Sequence, residues 1–402
     1  MKVLQINAVY GFGSTGIIVK DIQNTLIKNG HESYVAYQNA IGDVHNGYKI
    51  GNKLDWKLHA LHSRIFGKQG YASKRATKRF LKWVDKIKPD IVHLHNLHSN
   101  YINFNILCDY LAKNDIATVI TLHDCWYFTG KCTHFVKVNC NKWQTCCEKC
   151  PQLKNEVPSW FKDNTSKVFK DRIAHLNKIP NLTIVGCSNW ITELSKKSLL
   201  QAKNYQTIYN GVDIKIFTPH NNSFISDYNL HDKFLILVMA NKWFDPLNET
   251  FTQEFLARLN KNYKLIVVGC NSTKEQLLKK YDNVLPLGYI KDRQLLSDVY
   301  SSCNVFLNIT YADTLPTVNM ESICCGTKVV TFDSCGCKEL ILPNTGYVVE
   351  QGDVEQTINA IKMVENENKI SNEVLEIARE KYNKDYCYNN YILLYENINN
   401  KE

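Results

Sequence analysis

The sequence predicts an α/β protein built from two doubly wound domains that face each other across a cleft. Three observations carry this. The 402 residues are too many for one ordinary core and fit two domains of about 200 residues each. Short apolar runs alternate twice with helical stretches. A break in that rhythm falls at Tyr209-Asn210-Gly211-Val212-Asp213 and Pro219. In the first set, strands are expected at 2–8, 33–37, 91–95, 117–122 and 182–187, with helices at 17–29 and 101–114. In the second, strands are expected at 234–240, 263–269, 283–287, 305–309 and 328–332. A βαβ rhythm of this kind implies parallel, Rossmann-like sheets with helices on both faces, whose ligands bind at the carboxyl ends of the strands. The boundaries read as 1–218 for the first domain, 219–380 for the second and 381–402 for a C-terminal helix.

Composition narrows the class. Hydrophobic content of 44% and charged content of 22% are those of an ordinary globular protein. The opening MKVLQINAVYGF reads as a strand followed by glycines and lacks the apolar core of a signal peptide. The longest apolar run, 234–240, is far short of the roughly 18 residues of a membrane span. A cytoplasmic protein is therefore expected, and in that compartment the 15 cysteines read as thiols or metal ligands rather than a disulfide framework.

The net charge of +9 is unevenly spread. Between Asn52 and Lys88 stand eleven Lys or Arg against two Asp, interleaved with Trp56, Phe66, Tyr71, Phe80 and Trp83. Such a helical stretch suits peripheral contact with an anionic membrane surface. The alternative is a solvated helix face with its aromatics turned inward. No nucleic-acid module accompanies the charge, so nucleic acid is not an expected partner.

The richest motif is 311–326, YADTLPTVNMESICCG. Asp313 follows the apolar run VFLNI, Leu315-Pro316-Thr317 turns the chain, and Pro316 suits the first turn of a helix because its missing N–H costs nothing there. The N–H groups of Thr317, Val318 and Asn319 would form a helix N-terminus fit for phosphate oxygens, with Glu321 one turn further in. The plain alternative is a helix start with incidental acids. Gly11-Phe12-Gly13-Ser14-Thr15-Gly16 follows the first strand. Its glycines allow close backbone approach, and Ser14 and Thr15 can cap the next helix or donate to phosphate.

Thr121-Leu122-His123-Asp124 closes another strand, where an imidazole can bond a sugar hydroxyl or stabilise developing charge. In VHLHNLH, alternation places His93 and His95 on one strand face. These two and His98 read as shaping an acceptor side rather than binding metal. Cys132, Cys140, Cys147 and Cys150, spaced C-x₇-C-x₆-C-x₂-C, suit a structural zinc knuckle, with free thiols or a redox disulfide as alternatives; Cys146 reads as a bystander. Lys242 ends the first strand of the second domain. The tail 382–398 has apolar residues at helical spacing.

Taken together, YADTLPTVNMES with the following CCGTKVV, the TLHD strand end and the NGVD linker resemble glycosyltransferase family 4, over nearly the whole chain. The resemblance implies the GT-B architecture, with a last helix that crosses back to the N-terminal domain; a simple C-terminal helix is the alternative. It implies a retaining hexosyltransferase that uses a nucleotide-diphosphate sugar and needs no catalytic metal. The implied acceptor is a lipid-linked glycan of a bacterial capsule, exopolysaccharide or lipopolysaccharide pathway. Asp313 would contact the transferred sugar, Glu321 the ribose, His123 the sugar near the reacting carbon and Lys242 the diphosphate. Gly13, Ser14, Thr15, Asn210, Leu315, Thr317 and Val318 would complete the donor site. Relatives in polysaccharide synthesis carry a similar cysteine-rich insertion, here about 130–165. Two departures stand out: Asp313 replaces the family's usual glutamate, and the stretch 243–249, WFDPLNE, lacks the second lysine of the family's K-G pair. A catalytically weak, glycan-binding protein is the alternative that this second departure favours. No Asp-x-Asp is present, so helix N-termini and lysine are left to balance the leaving group.

Overall fold

The computed structural model describes residues 1–400. The chain divides into two compact units: Met1–Tyr209 together with the chain from Tyr388 onward, and Asn210–Cys387.

The first unit is a seven-stranded, all-parallel sheet. In chain order its strands are β1 (Lys2–Tyr10), β2 (Glu32–Ala40), β3 (Gly47–Lys49), β4 (Ile91–Leu94), β5 (Ala117–Leu122), β6 (Leu182–Gly186) and β7 (Asn204–Thr207). Their spatial order is β3-β2-β1-β4-β5-β6-β7. β4 and β5 read as unbroken apolar or buried runs because helices cover both faces of a parallel sheet. The edge strands β3 and β7 are short, polar and partly exposed, so no apolar run announced them.

The helix after β1 runs Gly13–Lys28, four residues earlier than its apolar period indicates. Phe12 is its N-cap and makes no side-chain cap, so Ser14 and Thr15 lie inside the first turn instead of capping it. Thr15 Oγ1 accepts from Asn7 Nδ2 at 3.4 Å. The last helix, Lys384–Asn399, contributes buried Tyr391 and Tyr395 to this unit. Tyr391 Oη lies 2.9 Å from Thr121 Oγ1, and Tyr395 Oη 2.6 Å from His93 Nδ1.

The second unit has a six-stranded parallel sheet of β8 (Phe234–Met239), β9 (Tyr263–Val268), β10 (Val284–Leu287), β11 (Val305–Asn308), β12 (Lys328–Phe332) and β13 (Gly346–Val349). Their order is β10-β9-β8-β11-β12-β13. Ile236, Val238, Leu265, Val267, Val305, Leu307 and Val330 form the centre of its core. Among the described residues no helix is long and apolar enough to cross a membrane.

The NGVD segment opens this unit, which begins at Asn210 because the segment is pinned to the chain before the last helix. Val212 bridges Asn383, its N–H donates to Tyr382 O at 2.8 Å, and its carbonyl accepts from Lys384 N at 3.0 Å. Asp213 pairs with Lys384 at 2.8 Å. Burial alone would raise the Asp213 pKa, but the Lys384 hydrogen bond and charge outweigh it and hold the group ionised. Gly211 has no room for a side chain: a Cβ there would stand 2.7 Å from Lys384 N and closer still to its Cα. Gly211→Ala is expected to destabilise this unit by about 1–3 kcal/mol, the usual cost of overpacking. A lower urea midpoint by tryptophan fluorescence is the expected result, and an unchanged midpoint contradicts the assigned packing.

Candidate functional site

In the second sheet, β8 and β11 lie side by side while the chain leaves them in opposite directions, to β9 and to β12. The carboxyl ends of such a pair mark the crevice where doubly wound sheets bind ligands. Lys242 stands in the short helix Ala240–Trp243 directly after β8, and Asp313 follows β11. Their charged ends are 3.9 Å apart. Both side chains keep about 30% of their exposure (28% and 32%), so the pair contributes at most about 1 kcal/mol and either partner is cheap to redirect.

Asn248 ties the two strand ends together. Its buried Nδ2 donates to Lys242 O and to Ile309 O, both at 2.9 Å. This amide, from the stretch that lacks the second lysine, supplies a brace rather than a charge. The loop after β12 holds the Asp313 backbone: its carbonyl accepts from Gly336 N at 3.3 Å, and its backbone also bonds the Cys335 thiol.

The helix Thr317–Cys324 begins with Pro316 at the N-cap, one position earlier than the sequence indicates, and has no side-chain cap. Asn319 N–H is already used, donating to Pro316 O at 3.1 Å, so of the three expected donors only those of Thr317 and Val318 remain to meet a ligand. The Asn319 side chain is fully buried; its Oδ1 accepts from Asn308 Nδ2 at 2.8 Å, while its Nδ2 has no partner. Leu315 is buried and anchors the turn. Glu321 Oε2 accepts from Tyr300 Oη at 3.3 Å. Burial pushes its pKa up to about 7, and the Arg293 charge and the Tyr300 hydroxyl offset this only in part. Asn210 also belongs to this unit and is buried with its Oδ1 unpartnered.

The first unit holds Gly13, Ser14, Thr15 and His123. Gly13 has φ of +63°, a backbone state that favours glycine. His123, just past β5, hydrogen-bonds His95 through its Nε2 at 3.0 Å, and His95 Nε2 lies 3.2 Å from Gln5 Oε1. Burial lowers the His123 pKa to about 4. His93 and His95 do share a strand face, with ring centroids 3.9 Å apart, whereas His98 pairs with Asp124 at 2.9 Å.

The cysteine cluster is a correction. Among the described residues no group of three or more His, Cys, Asp or Glu is arranged to hold a metal ion, so the zinc expected on Cys132, Cys140, Cys147 and Cys150 has no support. All four are free thiols. Three of the sulfurs take part in hydrogen bonds: Cys147 Sγ accepts from Gly130 N at 3.2 Å, and the Cys132 and Cys150 thiols hydrogen-bond each other. A fixed cation already stands beside them. Lys131 is buried, and its Nζ donates to Gln152 O and Leu153 O, both at 2.7 Å, and to Asn155 O at 3.1 Å. The segment is braced further by Glu156, whose Oε2 accepts from Thr133 and from His134 N.

Sequence reasoning passed over Gln5, Asn248, Tyr300 and Arg293. Only Gln5 carried a signal, as a polar residue in the middle of the otherwise apolar run VLQINAV.

Two all-parallel sheets with charged side chains at a switch point define a GT-B fold. A family model described as Glycosyltransferase Family 4 matches residues 15–216, and one described as Glycosyl transferases group 1 matches residues 236–366. The chain belongs to glycosyltransferase family 4. It is 21% identical over 425 aligned residues to an Escherichia coli K12 protein, WcaC, named as a candidate colanic acid biosynthesis glycosyl transferase, covering 99% of this chain and 100% of that one. Among solved structures, sucrose-phosphate synthase from Thermosynechococcus elongatus superposes with a TM-score of 0.72 at 15% identity, over 100% of both chains. Anabaena HepE in complex with UDP-glucose gives 0.64 at 13% identity, over 99% and 100%. At these identities the structural likeness shows the fold.

Glu321 yields a pH test. Its folded pKa of about 7 lies above the ordinary value of 4.5. The unfolded chain therefore gives up this proton first as pH rises, and stability falls through that window and is constant above it. Glu321→Gln removes the component. The variant should gain on the wild type by on the order of 1–3 kcal/mol between pH 4.5 and pH 8, read from urea midpoints at several pH values. A pH-independent difference contradicts the burial of this carboxyl.

Proposed function

We propose that the protein is a retaining glycosyltransferase that moves a sugar from a nucleotide-diphosphate sugar to a hydroxyl of a lipid-linked glycan in bacterial surface polysaccharide synthesis. The observation that carries the reading is the Lys242–Asp313 pair at the β8/β11 switch point, with the Thr317–Cys324 helix start and Glu321 directly behind it. Names among similar proteins add support, since one relates to colanic acid synthesis and HepE binds UDP-glucose.

In this reading Lys242 and the N–H groups of Thr317 and Val318 compensate the diphosphate charge, which grows as the bond to the sugar breaks. Asp313 accepts from a hydroxyl of the transferred sugar, and Glu321 from the ribose. His123 meets the sugar near its reacting carbon. The acceptor oxygen forms its bond to the anomeric carbon on the face that the diphosphate leaves, and the departing phosphate oxygen takes the acceptor proton. Configuration is retained without a protein nucleophile.

A lipid-linked acceptor must be met at a bilayer on the cytoplasmic side, and the Lys53–Phe66 helix suits that contact. Leu54, Leu58 and Leu61 lie on one face and are 63%, 57% and 46% exposed. Trp160 and Phe161, also exposed, join its end through the Trp160 N to Arg64 O bond of 2.6 Å. Lys53, Lys57 and Arg64 flank the stripe, as anionic headgroups require.

Calorimetry with UDP and UDP-glucose as probes tests the site assignments. Glu321→Ala should weaken both ligands roughly ten- to a hundred-fold, the loss of a hydrogen bond to a charged group. Asp313→Ala should weaken only UDP-glucose. A folded Glu321→Ala that binds UDP as tightly as the parent removes the main support for the reading. Sedimentation with phosphatidylserine-containing vesicles tests the surface. Binding should fall with salt and with the Leu58→Ser and Leu61→Ser double substitution, and binding that survives both contradicts it.

A further inference from the structure

We propose that Gln5 and His95 are positioning residues that hold His123 in the tautomer protonated on Nε2, so that its Nδ1 offers a lone pair to a hydroxyl of the sugar substrate. This rests on the reading that His123 meets the sugar. The hydrogen-bond chain itself fixes the direction of every proton.

It starts from a group that cannot donate. Val19 O accepts from Gln5 Nε2 at 3.1 Å, which sets the amide with its nitrogen toward Val19. Flipping the amide would put Oε1 against that carbonyl oxygen. Gln5 Oε1 therefore faces His95, 3.2 Å from His95 Nε2, and an amide oxygen only accepts. The His95 proton is thus on Nε2. His95 is fully buried, and burial together with the neighbouring imidazoles keeps it neutral, so its Nδ1 carries a lone pair. That lone pair lies 3.0 Å from His123 Nε2, which must be the donor. The two ring planes differ by only 18° with centroids 5.3 Å apart, as for imidazoles joined edge to edge by an in-plane N–H···N bond.

Two further features hold the chain in place. The His93 ring lies 3.9 Å from that of His95, and its own nitrogens are engaged by Thr121 Oγ1 at 2.7 Å and Tyr395 Oη at 2.6 Å. Tyr127 Oη donates to the His95 carbonyl. Gln5 and His95 have no exposed surface, whereas His123 is partly exposed. Among the described residues, His123 Nδ1 has no hydrogen-bond partner in the protein. The chain thus ends at a neutral acceptor at the surface. Its requirement is simple: a sugar hydroxyl donates to Nδ1, and the other tautomer would set N–H against that hydrogen.

The test is ¹⁵N NMR of the full chain labelled in histidine, assigned with His95→Gln and His123→Gln. The unliganded wild type should show His123 Nδ1 as the unprotonated nitrogen and Nε2 as the protonated one. Gln5→Leu, which removes the acceptor for His95 Nε2, should mix the two tautomers. Saturation with UDP-glucose should shift the His123 Nδ1 resonance, and UDP alone should not. Gln5→Leu should weaken UDP-glucose by about tenfold, the loss of one neutral hydrogen bond, with UDP unchanged. A wild-type His123 protonated on Nδ1 overturns the proposal, and that spectrum decides it even if a Gln5 variant fails to fold. The expected tautomer with an Nδ1 resonance indifferent to UDP-glucose overturns the sugar contact. If UDP itself does not bind, the enzyme reading fails separately, while the unliganded spectrum still decides the tautomer.

Discussion

Parallel strand pairing is the constraint on which the rest of this structure depends. Every pair in both sheets is parallel. All strands of a sheet then end at the same edge, and each connection must return over a face, which buries the strands on both sides. The polar residues that the chain carries at strand ends are thereby collected without any long-range pairing of their own. Lys242 and Asp313 are 71 positions apart in sequence, yet they meet because β8 and β11 are neighbours. The same applies to Gln5, His95 and His123, from β1 and the ends of β4 and β5.

Burial on both faces also sets the price of polarity within the strands. An unpaired amide or imidazole in such a place costs about 1–3 kcal/mol, so Gln5, His93 and His95, all without exposed surface, are usable only as a connected set. The set is closed at one end by the Val19 carbonyl and braced by Thr121, Tyr391 and Tyr395. The two tyrosines come from the last helix, which explains why a C-terminal segment rich in tyrosine packs with strands near the start of the chain. In the second unit the balance is less complete. Thr314 Oγ1, Asn319 Nδ2 and Asn248 Oδ1 are buried without partners, and all three lie at or beside the strand ends that carry Asp313 and Lys242.

The fold was legible because apolar runs mark central strands. Residues 117–122 and 328–332 match β5 and β12 at both ends, while β3, β7 and β13, short edge strands with exposed residues, left no such mark. Within the site, the acids and the lysine were legible from their position after apolar runs. Pairing in space was not. Nothing in WFDPLNE announces that Asn248 reaches both strand ends, and nothing in RQLLSDVYSS places Tyr300 against Glu321. The cysteine spacing is not matched by a metal-holding arrangement among the described residues, because spacing alone does not set the geometry of the sulfurs. A buried lysine held by three carbonyls and a glutamate on backbone N–H groups organise that segment instead.

The two carboxylates at the second unit's site therefore lie in different surroundings, and that difference suits different tasks. Asp313, partly exposed beside Lys242, exchanges its partner at little cost. Glu321, half-buried and poised near pH 7, carries a desolvation cost when charged, with only Arg293 and the Tyr300 hydroxyl to offset it. A ligand that brings hydroxyl donors to Glu321 relieves that cost, so binding favours its ionised form and lowers its pKa. A diol such as a ribose meets the requirement, whereas an anion does not. The positive end of the Thr317–Cys324 helix and Lys242 are the groups that favour an anion in the same unit. In the proposed reading, hydroxyl donors at Glu321 and negative charge at the helix start belong to one ligand, a nucleoside diphosphate.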